Sequence, residues 1–62
     1  MSAAKLIKFM MLIKDVNQTD IAKVAGVSVS LVNMVIHGKK RSRKVEKTIA
    51  AILDLPADTL FK

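Results

Sequence analysis

The segment from residue 39 to residue 44 carries five cationic side chains in six positions. Ammonium and guanidinium groups donate hydrogen bonds to phosphate or carboxylate oxygens, and a guanidinium can do so through two parallel bonds. The net charge of the whole chain is also positive, because 11 Lys and Arg against 5 Asp and Glu give a formal charge of +6. This balance favours a polyanionic partner, namely nucleic acid, an acidic protein or an anionic membrane face. We call this stretch the basic segment, and its cations are Lys39, Lys40, Arg41, Arg43 and Lys44.

Catalytic and metal chemistry have little support in the sequence. The chain has no cysteine and a single histidine, so a thiol nucleophile, a disulfide framework and a thiolate metal site are excluded. It also has no phosphate-cradling glycine loop and no nucleophile elbow. We expect no enzymatic activity, no metal, no cofactor and no small-molecule ligand. The few acids are predicted at caps, turns and outer helix faces, where no two of them pair around a substrate: Asp15, Asp20, Glu46, Asp54 and Asp58.

The elements that must position the basic segment are helices. Apolar residues at offsets of three, four and seven predict a first helix between Ala3 and Ile13, with an inner stripe of Leu6, Phe9, Met10 and Ile13. Asn17 is a good N-cap for a second helix over 18–25, since Asp20 has the spacing of a capping-box acid.

Two further helices and a short terminal one follow. Gly26 permits a tight turn, after which Ser28 can cap a third helix that extends to His37. Ser42 can cap a fourth helix with an apolar stripe that ends near Asp54 and leaves Glu46 outside it. Pro56 suits the start of a last short helix that carries Leu60 and Phe61. The sequence therefore predicts one all-α domain over residues 1–62.

The N-terminal MSAAKLIKFMMLIK has lysines interspersed among its apolar residues, which fits neither a signal peptide nor a spanning helix. An amphipathic membrane-surface helix would also combine basic and apolar residues. However, the chain has only two aromatic residues and neither Trp nor Tyr for the membrane interface. We expect a cytoplasmic protein without a membrane partner.

Residues 18–37, QTDIAKVAGVSVSLVNMVIH, have the pattern of two helices that cross at a glycine turn. A helix-turn-helix needs a small residue at the crossing, a glycine-type turn and branched apolar residues on the inner side of its second helix. The sequence has the required residue types at Ala22, Gly26, Val32 and Val35, and Val27 follows the turn. The stretch resembles the helix-turn-helix superfamily of phage Cro proteins and phage repressors, often called the xenobiotic-response-element type.

The resemblance covers almost the whole chain, from the leading helix to the closing LPADTLF. The headpieces of lactose-repressor type are also similar over DIAKVAGVSVSLVNMVIHG, but they begin almost at the turn unit, whereas this chain has a helix before it. The resemblance implies a compact five-helix, lambda-repressor-like DNA-binding domain with its helix-turn-helix at helices two and three. Three positions depart from the family pattern: His37 replaces a common asparagine, Asp54 a frequent glycine, and Pro56 a serine or threonine cap.

The resemblance implies a sequence-specific transcriptional regulator, such as a repressor, that binds double-stranded DNA through helix 28–37 in the major groove. With Val32 and Val35 inward, the base-reading candidates are Val29, Ser30, Asn33 and Met34. The phosphate-binding candidates are Gln18, Ser28, His37, Lys39, Lys40, Arg41, Arg43 and Lys44. One helix reads few base pairs, so we expect a weak homodimer assembled on DNA. The dimer candidates are Leu55, Leu60 and Phe61.

Each candidate also has a simpler interpretation. The basic segment could be a solvated connection, and Gln18 could do no more than begin a helix. Asn33 could be a solvated helix residue, while His37 could only interact with the dipole of its own helix. Val29 and Met34 could form a protein-binding patch, so a protein-interaction module of the same fold that uses the apolar face of helix three is the alternative function.

Overall fold

The computed structural model describes residues 3–61 and consists of helices and turns, without a β-strand in that range. The five helices are α1 Ala3–Ile13, α2 Gln18–Ala25, α3 Val29–Ile36, α4 Arg43–Leu53 and α5 Ala57–Leu60. The predicted all-α class and the number of helices are confirmed. The bounds of α1 and α2 agree with the prediction, while α3 is shorter by its two capping residues, Ser28 and His37.

Local hydrogen bonds begin the helices where the sequence predicts them. At α2, the Asp20 amide donates to Asn17 Oδ1 at 2.9 Å and the Asn17 amide donates to Asp20 Oδ2 at 3.1 Å. This reciprocal pair is a capping box. Ser28 Oγ accepts from the Leu31 amide at 3.1 Å, and Ser42 caps α4 in the same manner. These caps satisfy amides that have no partner within their own helix.

Left-handed residues cap the C-terminal ends of α2 and α4. Gly26 has φ +72° at the end of α2, where its amide donates to the Ala22 carbonyl oxygen at 2.8 Å. Asp54 has φ +57° at the end of α4. Glycine adopts this region without steric cost, whereas aspartate does so at some cost. The turn at Gly26 bends the chain by 110° between α2 and α3.

The core lies where α1 and α2 pack on α3 and α4, and α5 packs on α4. Val32 and Val35 are 0% and 2% exposed, so the predicted inward face of α3 is confirmed. Val27, expected after the turn, is half-buried against the same core. The other buried apolar residues are Ile7, Met11, Ile21, Ala22, Ala25, Ile36, Val45, Ile49, Ala50, Leu53 and Leu60.

The predicted inner stripe of α1 is wrong for two of its four residues, Phe9 and Ile13. The helix enters the core through Ile7 and Met11, while Phe9 and Ile13 are 55% and 60% exposed. Leu6 and Met10 are half-buried at the edge of the core. Apolar residues surround most of α1, so helical periodicity is compatible with more than one inner face. Packing against α3 and α4 selects the face.

Within residues 3–61, no single helix is both long and apolar enough to cross a membrane. The pair of α2 and α3 reaches that length and composition together, but its two helices are bent by 110°.

Candidate nucleic-acid interface

The outer side of α3 is the first part of the candidate interface. Val29, Ser30 and Asn33 are exposed, and Met34 is half-buried beside them. They lie opposite Val32 and Val35 because successive positions of a helix rotate by about 100°. The structure therefore places the four predicted base-reading residues together on one accessible face, which we call the α3 outer face. It combines an amide, a hydroxyl and apolar groups.

The chain leaves α3 through a tight turn that leads into the basic segment. The His37 amide donates to the Asn33 carbonyl oxygen at 3.1 Å, and the Lys39 amide donates to the Met34 carbonyl oxygen at 2.9 Å. Gly38 has φ +72° between them, and a Cβ there would have open space around it. The glycine is therefore required for its backbone angle and not for a close contact. His37 is exposed at this C-terminal end of α3.

A buried carboxylate holds the middle of the basic segment. Arg41 Nε donates to Glu46 Oε2 at 2.9 Å, and Arg41 Nη2 donates to Glu46 Oε1 at 3.3 Å. The Ser42 amide also donates to Glu46 Oε2, at 3.3 Å. The Arg41 side chain is 63% exposed, and that of Glu46 is 9% exposed. The guanidinium is thus oriented by the protein while much of it remains accessible to solvent.

The prediction that Glu46 lies on the outer face of α4 is wrong. The residue is buried, at 7% exposure, because the basic segment folds back over it. Its charge is compensated there by Arg41, as a buried acid requires. The spacing of Ser42 and Glu46 is four, whereas a capping box has a spacing of three. The sequence therefore contains a serine followed by a glutamate, as in a capping box, but with one additional residue between them.

Lys44 connects the end of the basic segment to the α2–α3 turn. Its Nζ lies 3.8 Å from the point that a Cβ on Gly26 would occupy. This places the ammonium at the C-terminal end of α2, where unpaired carbonyl groups give a partial negative charge. Lys44 thus contacts the turn itself, which sequence spacing did not predict. The remaining cations, Lys39, Lys40 and Arg43, are exposed.

The helix starts supply the other phosphate-binding candidates. Gln18 is half-buried in the first turn of α2, and Ser28 is exposed as the N-cap of α3. Free first-turn amides make helix N-termini favourable for anions. At α2, however, the Asp20 carboxylate already accepts from the Asn17 amide in the capping box. The α3 start has no acid in its first turn.

Comparisons of this chain with family models, with curated proteins and with solved structures found no match. The chemistry of the α3 outer face and of the basic segment is therefore the evidence for what they bind.

The candidate dimer residues are less accessible than expected. Leu60 is 4% exposed and belongs to the core, so its burial removes it from the candidate dimer surface. Leu55 and Phe61 are half-buried against the same core. The large apolar residues with the most exposed surface among residues 3–61 lie instead on α1, α2 and α3.

Metal ligands are not clustered in the described part of the chain. Between residues 3 and 61, no group of three or more His, Cys, Asp or Glu side chains could hold an ion.

Proposed function

We propose that this chain is a sequence-specific DNA-binding transcriptional regulator of the Cro and repressor type, with a helix-turn-helix formed by α2 and α3. The observation that carries the proposal is an accessible α3 outer face that the chain follows directly with a basic segment, whose Arg41 is oriented by Glu46. The 110° bend at Gly26 supports it, since the helices of such motifs meet at about 90–120°. The regulator acts in the cytoplasm, without an enzymatic step.

Base recognition is assigned to the α3 outer face in the major groove. The Asn33 amide can bind adenine N6 and N7 together, and the Ser30 hydroxyl can donate to or accept from several base edges. Val29 and Met34 contact apolar atoms, of which the thymine methyl group is the accessible one in this groove. The face therefore suits sites that contain A·T pairs.

Affinity is assigned mainly to phosphate contacts. The basic segment supplies the cations, with Gln18, Ser28 and His37 as further donors near helix ends. If roughly four to six phosphates are neutralised per monomer, log K falls against log salt with a slope of about −4 to −5. Backbone contacts orient the domain and carry little sequence information.

Two copies on one operator would supply the specificity that one helix lacks. Two-fold partners of this class place half-sites about 34 Å apart. Leu60 is internal, and the core covers part of the surface of Leu55 and Phe61. The C-terminal surface therefore offers little apolar area to a second copy. We therefore propose a weak homodimer that assembles fully on DNA.

The alternative function is a protein-interaction module of the same fold. Val29 is 42% exposed and lies on the same face as Met34, so the α3 outer face has apolar character that a protein could cover. The salt dependence of the binding constant discriminates between the two functions, because a protein that binds nucleic acid releases counterions from the phosphate backbone.

The test is selection of bound sequences from a random duplex pool, followed by anisotropy titrations of the enriched site. The proposal expects enrichment of one A·T-containing site and a steep loss of affinity between about 50 and 200 mM salt. A pool that stays random after repeated rounds, or an affinity insensitive to salt, would refute DNA recognition by this face.

A further inference from the structure

The side of α1 that faces away from the core carries three exposed large apolar side chains. Phe9, Leu12 and Ile13 are 55%, 79% and 60% exposed. Their spacing of three and four residues places them next to one another on the helix surface. We call this patch the α1 outer face. It lies opposite Ile7 and Met11, which are buried.

The α1 outer face is separate in sequence from the surface proposed to bind DNA. None of its residues belongs to α3 or to the basic segment. Three adjacent large apolar side chains, each more than half exposed, amount to a few hundred Å². This is the size of the largest apolar patch on a typical monomer, and such patches are often functional. A stable homodimer needs about 800 Å² from each partner, so the patch by itself supports only a weak, reversible contact.

The charges around the patch indicate the chemistry of its partner. α1 contains two lysines and no acidic residue, and Lys14 follows directly after it. Lys8 is exposed and lies one helical turn from Leu12, next to Phe9. A second copy on this face would bring lysines of both chains together, which opposes association. Acidic residues around an apolar stripe would complement it.

We propose that the α1 outer face docks an acidic amphipathic helix of a partner protein. The apolar stripe of that helix covers Phe9, Leu12 and Ile13, and its Glu or Asp residues pair with Lys8, which lies beside the patch. Ridges formed by residues three and four apart are the surfaces through which helices pack on one another. A membrane is a poorer partner, because the face has one aromatic residue and the chain has no Trp or Tyr.

The experiment is an NMR titration of the full chain with a synthetic amphipathic helix made of leucine and glutamate. We expect saturable shifts of amides in residues 3–14. The double variant Phe9→Gln and Leu12→Gln should weaken binding about tenfold or more, as loss of central apolar contacts does. Val24→Gln is the matched control, since Val24 is 69% exposed on α2 and outside the patch. It should leave the affinity unchanged.

Charge reversal tests the second half of the proposal. Lys8→Glu should weaken binding of the leucine–glutamate helix and strengthen binding of a matched leucine–lysine helix. Both outer-face variants should keep the melting temperature of the parent chain, because the changed side chains are exposed. The double glutamine variant, which leaves the net charge unchanged, should also keep the DNA affinity of the parent chain. Equal binding of both peptides to the parent chain, or shifts that appear mainly in the basic segment, would overturn the proposal.

The same proteins also test a second copy of the chain and a membrane as partners of the α1 outer face. Self-association in sedimentation runs that Phe9→Gln and Leu12→Gln abolish would identify a second copy as the partner and overturn the proposal. Binding of the parent chain, but not of that variant, to vesicles of phosphatidylcholine and phosphatidylglycerol without binding to the acidic helix would identify a membrane and overturn it as well. Absence of any α1 shift with the leucine–glutamate helix also refutes it.

Discussion

Replacement of Glu46 by Gln tests whether the basic segment is held in place from within the protein. Glu46 accepts two hydrogen bonds from Arg41, at 2.9 and 3.3 Å, and one from the Ser42 amide at 3.3 Å. A hydrogen bond to a charged group contributes about 1.5–3 kcal/mol. The Arg41 side chain is 63% exposed, so solvent screening reduces its share to about 1 kcal/mol or less. Glutamine keeps the shape and one acceptor oxygen.

We therefore expect Glu46→Gln to lower the free energy of unfolding by about 1–2 kcal/mol. In a domain of this size each kcal/mol shifts the melting temperature by about 4–8 °C. Denaturant titration followed by circular dichroism measures the first quantity, and thermal unfolding measures the second.

The effect of Glu46→Gln on DNA affinity separates positioning from net charge. The substitution removes one acid and raises the formal charge from +6 to +7, so long-range attraction alone would tighten DNA binding. If Glu46 orients Arg41 for phosphate, binding should weaken several-fold instead. Asp15→Asn is the matched control, because it makes the same change of charge at an exposed residue whose φ of +56° asparagine also tolerates. This control should bind DNA as tightly as the parent chain or more tightly.

Glu46 does not hold the basic segment in place if Glu46→Gln and Asp15→Asn behave alike. Equal stability of the two variants would mean that the Arg41–Glu46 pair contributes nothing measurable. Equal or tighter DNA binding by Glu46→Gln would mean that Arg41 does not need its partner to reach phosphate.

Four further substitutions test the recognition face, the basic segment and the turns. In anisotropy titrations, Asn33→Ala should cost on the order of 1–3 kcal/mol of binding free energy on the selected site and little on random duplex. Arg43→Ala should weaken binding to both DNAs alike. Equal losses of affinity on both DNAs for Asn33→Ala would remove Asn33 from base reading. Asp54→Gly should stabilise the chain by about 0.5–1 kcal/mol, because φ is +57° there, and an unchanged denaturation midpoint would argue against strain at that turn. Gly26→Ala should cost about 1–2 kcal/mol through its φ of +72°, since the added Cβ would meet Lys44 Nζ only at 3.8 Å; a neutral result would show that the turn relaxes.

The helices and their ends were predictable because the interactions that define them join residues close in sequence. The Asn17 capping box, the Ser28 cap and the left-handed Gly26 each involve residues within about four positions of one another. The outward side of α3 was also predictable. Val32 and Val35 are branched apolar residues at helical spacing on a helix that has polar residues on its other side, so one inner face is favoured.

The burial of residues whose environment depends on contacts between helices was not predictable in this way. α1 is apolar on most sides, and its contact with α3 and α4 is what buries Ile7 and Met11 and leaves Phe9 and Ile13 exposed. Lys44 lies close to the turn at Gly26, eighteen residues away in sequence, because α4 packs on α2. Leu60 is internal because α5 packs on α4. Caps and periodicity depend on neighbours along the chain, whereas these positions depend on which helix surfaces meet in space.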